Sequence, residues 1–205
     1  MKKEKKEALA GFHRRTIQDA AEKLFLEKGL DATSVEEIAE AAGYSKATLY
    51  VYFKGKTDIW DHILLSAMKM LKDNVENVVA SDCATVEKYF AVCKVLVDFS
   101  EEYPLYFESL LGPIFWEEEG VSRQTYEIGE EIMGAVSKFV AQGIEESVVD
   151  PDVRFSQIAF ILWSCVSGMI RMANQKEAYY TAAIGCEKQE LLRYGFEVLL
   201  KSITK

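Results

Sequence analysis

The stretch from Ser34 to Phe53, SVEEIAEAAGYSKATLYVYF, decides the fold. Ser34 followed by Glu37 has the spacing of a capping box: the serine hydroxyl takes the N3 amide and the glutamate reaches back to the cap amide. Behind it, Val35, Ile38, Ala39 and Ala42 recur at the spacing of one inward helical face. Gly43 stops that helix after about two turns, as a residue free to adopt left-handed backbone does. Ser45 can cap a second short helix through Lys46, Ala47, Thr48, Leu49 and Tyr50. Leu49 then points inward, leaving Ser45, Lys46, Ala47, Thr48 and Tyr50 outside. Two short helices joined by a glycine-containing turn have helix-turn-helix spacing. Helices this short are unstable alone, so a third must clamp them. Upstream, Ile17, Ala20, Ala21, Leu24 and Phe25 form the required stripe, closed by Gly29 with Leu30 placed to touch Phe25.

Downstream the pattern stays helical. A fourth helix begins near Lys56-Thr57-Asp58, buries Ile59, Ile63, Leu64 and Met68, and reaches about Val79. Val86, Tyr89, Phe90, Cys93, Leu96 and Val97 mark a fifth, which stops before Pro104. A sixth runs from Leu105 to Leu111, and Tyr126, Ile132, Met133, Val136, Phe139 and Val140 mark a seventh. Asp150-Pro151 reads as a start signal, with Asp as N-cap and Pro at the first helical position. It announces an eighth helix to about Asn174, and a ninth spans Glu187 to Ile203. No segment alternates long enough for a strand. The fold expected is all-α, with about nine helices: a basic tail (1–13), a three-helix helix-turn-helix domain (14–58) and a helical C-terminal domain (59–205).

With 49% hydrophobic residues in a chain of 205, a sizeable core can be buried, which argues against disorder. The net charge of −9 argues against DNA binding until it is mapped. Residues 1–58 hold 11 Lys/Arg against 10 Asp/Glu, whereas residues 59–205 hold 13 against 23. Lys2, Lys3, Lys5, Lys6, Arg14 and Arg15 concentrate positive charge at the start. DNA binding therefore belongs to the N-terminal quarter, with the tail a solvated start or an arm in the adjacent minor groove. The four cysteines form no C-x-x-C pair, and His13 and His62 are too few for a metal framework, so no metal and no cofactor are expected. Gly55-Lys56-Thr57 lacks the earlier glycine of a phosphate-binding loop, and no nucleophile motif or triad stands out, so an enzyme is not expected. The start has no apolar core of a signal peptide, and no apolar run approaches the ~20 residues of a membrane span. A cytoplasmic protein without a membrane partner is expected.

Residues 14–64 resemble the N-terminal domain of the TetR family of bacterial regulators. The resemblance rests on Ala21, Leu24, Phe25 and Gly29, then Thr33-Ser34, Ile38-Ala39, Ala42-Gly43, Ser45, Thr48-Leu49-Tyr50, Tyr52-Phe53 and Lys56. Ala47 and Tyr52 stand where the family often has Gly and His. The resemblance implies a homodimer on a palindromic double-stranded operator, and a helical C-terminal domain that dimerises and binds a small-molecule effector. It implies that Lys46, Ala47, Thr48 and Tyr50 contact bases or nearby backbone. It also implies that Ser34, Ser45, Tyr52, Lys54 and Lys56 grip phosphates.

By the same resemblance, the last two helices would pair with their copies through Phe155, Ile158, Ala159, Leu162, Val166 and Ile170, together with Leu191, Gly195, Val198 and Leu199. Candidate cavity linings are Tyr89, Phe90, Cys93, Phe99, Tyr103, Phe107, Phe115, Trp116, Tyr126, Met133 and Phe160, suited to an apolar or aromatic ligand. The acidic balance of this domain favours a neutral or cationic ligand over an anionic one. Glu117-Glu118-Glu119 beside Phe115-Trp116 reads as a solvated loop or a cation site. The expectation is a repressor released from DNA by its ligand. The alternative is a DNA-binding adaptor of the same fold that recruits a protein partner and needs no small molecule.

Overall fold

The computed structural model describes residues 2–112 and 120–204, and among them nine helices and no strand beyond one isolated bridge. Packing divides them into two compact units, one of residues 2–67 and 120–125, the other of residues 68–112 and 126–204. Phe115 and Trp116, expected at the ligand cavity, and the Glu117–Glu119 run lie outside the described residues.

The first unit is built on α1 (Lys2–Lys28), α2 (Val35–Ala41), α3 (Lys46–Tyr52) and the first turns of α4 (Lys56–Val79). Its seam is Ile17, Ala21 and Phe25 of α1 against Ile38 and Ala39 of α2, Leu49 of α3 and Phe53, all buried. Phe25 meets Trp60 edge-on at 5.6 Å, and Phe53 meets His62 at 5.3 Å. Burial of Ile59 and Ile63 explains why the start of α4 belongs here. The stop at Gly29 takes the left-handed φ of 85° that glycine tolerates. Thr33, fully covered, closes the α1–α2 loop by donating its hydroxyl to the Gly29 carbonyl at 2.8 Å. α1 begins at Lys2, so the lysine-rich start is helix and not a free arm.

The second unit contains the rest of α4 with α5 (Thr85–Glu102), α6 (Pro104–Leu110), α7 (Val121–Glu145, from Tyr126 on), α8 (Phe155–Ile184) and α9 (Lys188–Lys201). Its core gathers Leu71 and Val75 of α4, Leu96 and Phe99 of α5, Val140 of α7, and Leu162, Val166 and Ile170 of α8. The buried Tyr89 hydroxyl donates to the Phe196 carbonyl at 3.0 Å, tying α5 to α9.

The Asp150-Pro151 start signal is corrected. Asp150 accepts from the Asp152 amide at 2.9 Å, and its own amide donates to the Ile203 carbonyl at 2.8 Å. The pair is a turn pinned to the chain end, next to the bridge between Val149 and Thr204, and α8 starts only at Phe155. The helix expected to run to about Asn174 does break there, at Lys176 (φ −120°, ψ 19°), and a further helical piece continues α8 to Ile184 before left-handed Gly185.

The turn after α7 depends on a close approach at Gly143, where a Cβ would stand 2.5 Å from the Val149 Cγ2 and 3.1 Å from the Thr85 Cγ2. Val149 is fully buried and has nowhere to yield. Gly143→Ala is expected to cost about 1–3 kcal/mol of stability through overpacking. Urea unfolding of the two proteins measures it, and an unshifted midpoint would mean that the Val149 turn repacks freely.

Candidate nucleic-acid interface and effector cavity

The α2–α3 pair forms as its caps dictate. Ser34 accepts from the Glu37 amide at 3.3 Å while Glu37 accepts from the Ser34 amide at 2.9 Å, so the capping box is closed. Lys28 also holds Glu37, and this bond, before the two from Ser34, pulls the carboxyl down to about 2. Gly43 takes φ 74° in the turn. Ser45 then caps α3 by accepting from the Thr48 amide at 3.1 Å. With Leu49 buried, α3 leaves Lys46, Ala47 and Tyr50 exposed and Thr48 half-buried, Tyr50 being 49% exposed. A helix with its anchor on one side and short polar, cationic and phenolic groups on the other fits a major groove.

Not every residue expected at DNA is equally free. Lys46 is paired with Glu36 across the α2–α3 turn and stands 5.9 Å from the Tyr50 ring centre. That bond holds the Glu36 carboxyl below, and the Lys46 ammonium above, its ordinary value. Both side chains are exposed, and such a pair exchanges readily for a phosphate. Lys54 presents an exposed side chain while its amide caps onto Asp58 at 2.8 Å. Ser34 is occupied as a cap, and Tyr52 is half-buried with its ring 5.5 Å from that of His13.

Lys56 takes a different role from the one expected. Its Nζ donates to the carbonyls of Leu30 (2.9 Å), Asp31 (3.0 Å) and Thr33 (3.0 Å). An ammonium has three protons, and all three are spent on the loop that leads into α2. Lys56 is thus a clamp on the helix-turn-helix.

Three residues packed beside this site, His13, Arg14 and Tyr44, were not among those expected there. The Tyr44 hydroxyl, in the turn itself, lies 2.6 Å from the His13 Nδ1, and the Arg14 guanidinium sits 5.8 Å above the Phe53 ring. His13 and Tyr44 lie far apart in the chain, so no local spacing could announce the pair.

In the second unit, Val79, Val92, Leu96, Val136, Phe139, Leu162, Trp163 and Val166 line a cavity of about 30 Å³ with Tyr89 and Cys93. Burial pushes the Cys93 thiol up to about 12, and it raises the Tyr89 hydroxyl as well, so both stay neutral. Among the described residues, Tyr89 and Cys93 are the expected linings that reach the cavity. Phe99 and Phe107 are buried elsewhere, Phe99 lying 5.4 Å from Tyr103, and that tyrosine stacks on Tyr106 at 5.7 Å. Phe90 faces a shallow depression beside Val86 and Leu200. Tyr126 and Met133 are half-buried away from the cavity, and Phe160 is 65% exposed on the outside of α8.

Of the residues expected to pair with a second copy, Phe155 and Val198 are exposed. Ala159, Leu162, Val166 and Ile170 are buried within the subunit, and Ile158, Leu191, Gly195 and Leu199 are half-buried. The large exposed apolar side chains are Phe155, Phe160, Ile161, Met172, Tyr179 and Ile184 on α8, and Tyr194 and Val198 on α9. Between the two helices runs an open apolar groove of about 520 Å³ lined by Met169, Met172, Tyr179, Tyr194 and Gly195 among others.

Residues 17–63 match the family described as bacterial regulatory proteins, tetR family. The HTH-type transcriptional repressor KstR2 of Rhodococcus jostii (strain RHA1) is 30% identical over 159 residues, covering 75% of this chain and 78% of that protein. Among solved structures, a protein of unknown function from Rhodococcus sp. RHA1 superposes with a TM-score of 0.78 at 18% identity, over 94% of this chain and 96% of that one. The transcriptional regulator FadR from Bacillus subtilis, solved with stearoyl-CoA, superposes with a TM-score of 0.72 at 17% identity, over 92% and 98% of the two chains.

Replacing Lys56 by Met removes three charge-assisted bonds and leaves the loop carbonyls short of a donor. The expected loss is about 1–3 kcal/mol, read from thermal melts, with the salt dependence of any DNA binding unchanged. A lower salt slope at full stability would return Lys56 to the phosphate.

Proposed function

The chain belongs to the tetR family of bacterial regulatory proteins, and from that premise we propose a homodimeric transcriptional repressor that a small apolar ligand releases from a palindromic operator. The observation that carries the DNA reading is α3: a buried Leu49 behind exposed Lys46, Ala47 and Tyr50, capped by Ser45. Lys46, Ala47, Thr48 and Tyr50 face the bases, and Ser45 and Lys54 face phosphates. Tyr50→Ala is expected to weaken binding to a duplex selected from a random-sequence pool on the order of tenfold, with helix content and assembly preserved. Undiminished affinity would remove Tyr50 from the reading surface.

Two reading heads need two copies, with half-sites ~34–36 Å apart or a multiple. The apolar groove between α8 and α9, together with exposed Phe155, Phe160 and Ile161 further along α8, supports a second copy there, because so many large apolar side chains left in water on two helices call for a partner. Phe160→Glu, which sets a charge on that face, is expected to give monomers in sedimentation at concentrations where the parent protein is dimeric. An unchanged dimer would place the interface elsewhere.

Support for an apolar effector comes from the cavity lining, whose one hydroxyl, that of Tyr89, is already spent on the Phe196 carbonyl. The fold relative solved with stearoyl-CoA supports a long acyl chain. At about 30 Å³ the cavity holds little more than a water, so a ligand binds a widened form. Widening displaces Val79 at the end of α4, the helix that begins at Lys56 and its hold on the α1–α2 loop. A ligand that prefers the widened form draws the population away from the DNA-competent one. The small cavity also favours the second reading, an adaptor without a small molecule. Mass spectrometry of organic extracts from the purified protein, followed by DNA release with the extracted compound, decides between them. A protein carrying no ligand and kept on DNA by a panel of acyl thioesters and neutral apolar compounds is the adaptor.

A further inference from the structure

α1 is longer than the helix-turn-helix requires. Ile17, Ala21 and Phe25 supply its share of the seam, yet the helix continues to Lys2. His13 and Arg14 mark where it leaves the rest of the fold, His13 against Tyr44 and Tyr52, and Arg14 over Phe53. Residues 4–9 are all exposed. At ~1.5 Å per residue, Lys5 stands about 12 Å beyond His13.

The exposed segment is sided. On a repeat of ~3.6 residues per turn, Lys5, Lys6, Leu9, Phe12 and His13 fall within about 120° of arc, with Glu4 and Glu7 on the opposite side. His13 lies on this arc and touches the turn residue Tyr44, which directly precedes the α3 cap Ser45. The lysine-bearing arc is therefore on the side of α1 turned toward the end of α3 that enters a groove first. Leu9 and Phe12 on the same arc are 56% and 62% exposed. A rigid helix ~10–12 Å across cannot thread a minor groove ~6 Å wide. It can lie along a phosphate backbone, where lysines meet anionic oxygens and apolar side chains meet sugars.

We propose that the N-terminal part of α1 is a second DNA-contacting element, in which Lys5 and Lys6 grip the phosphates flanking each half-site while Leu9 and Phe12 lie on the adjoining sugars. This rests on α3 being the recognition helix. The element lengthens the bound site without adding base-specific contacts, raising affinity uniformly across sequences.

The test uses the full chain and a duplex with long flanks, selected from a random-sequence pool by the wild-type protein. Affinity is measured across a range of salt concentrations, and contacted phosphates are mapped by ethylation interference. Lys5→Gln/Lys6→Gln is expected to lower the slope of log affinity against log salt by about 0.9 per lysine lost. It should also erase interference at the outermost phosphates while leaving the inner pattern intact. Lys5→Arg/Lys6→Arg is expected to keep both. An unchanged slope and unchanged outer phosphates in the Gln variant would overturn the proposal while leaving α3 in place. A wild-type protein that selects no duplex would overturn the reading of α3, and this inference with it.

Discussion

Two helices of seven residues each have no stable conformation in water by themselves. The reading surface exists only while Ile17, Ala21 and Phe25 of α1 lie against Ile38, Ala39, Leu49 and Phe53. That buried seam sets which side of α3 is inside, and hence which residues are offered outside. The polar interactions around it refine its geometry. Ser34 and Ser45 satisfy amides at the two helix starts, Gly43 turns the chain between them, and the Lys56 ammonium gathers three carbonyls of the loop before α2. Because Lys56 opens α4, the helix carrying Val79 at its far end also grips the loop that positions α2.

The second unit obeys the same logic with longer helices. α8 has two apolar sides: Ala159, Leu162, Val166 and Ile170 fill the subunit core, while Phe160, Ile161 and Tyr179 stay in water. A helix apolar on one side needs one partner layer, and one apolar on both sides needs two. The inner side leaves little room, and widening a close-packed interior moves backbone as well as side chains.

Charge is distributed to match. The acidic excess lies beyond residue 58, and lysines and arginines cluster at the start of α1. Lys46 waits in an exposed pair with Glu36 from which a phosphate can take it.

From the sequence alone came the all-α fold, the two short capped helices and their turn, Leu49 as the inward anchor, and Lys46, Ala47 and Tyr50 as the outward set. Each depends on residues within a few positions of one another, where caps, glycines and periodicity speak directly. Only the tertiary structure decided that Lys56 clamps a loop, that His13 meets Tyr44, and that the Asp150-Pro151 turn is tied to Ile203. It also decided which apolar side of α8 is core: periodicity finds apolar positions but cannot tell a side facing its own subunit from one left for a partner. Most of the described aromatic residues expected at the cavity, Tyr89 apart, pack elsewhere for the same reason. Their size makes them fillers of whatever space the packing leaves, and the space that remained was lined mostly by aliphatic side chains whose neighbours come from four separate helices.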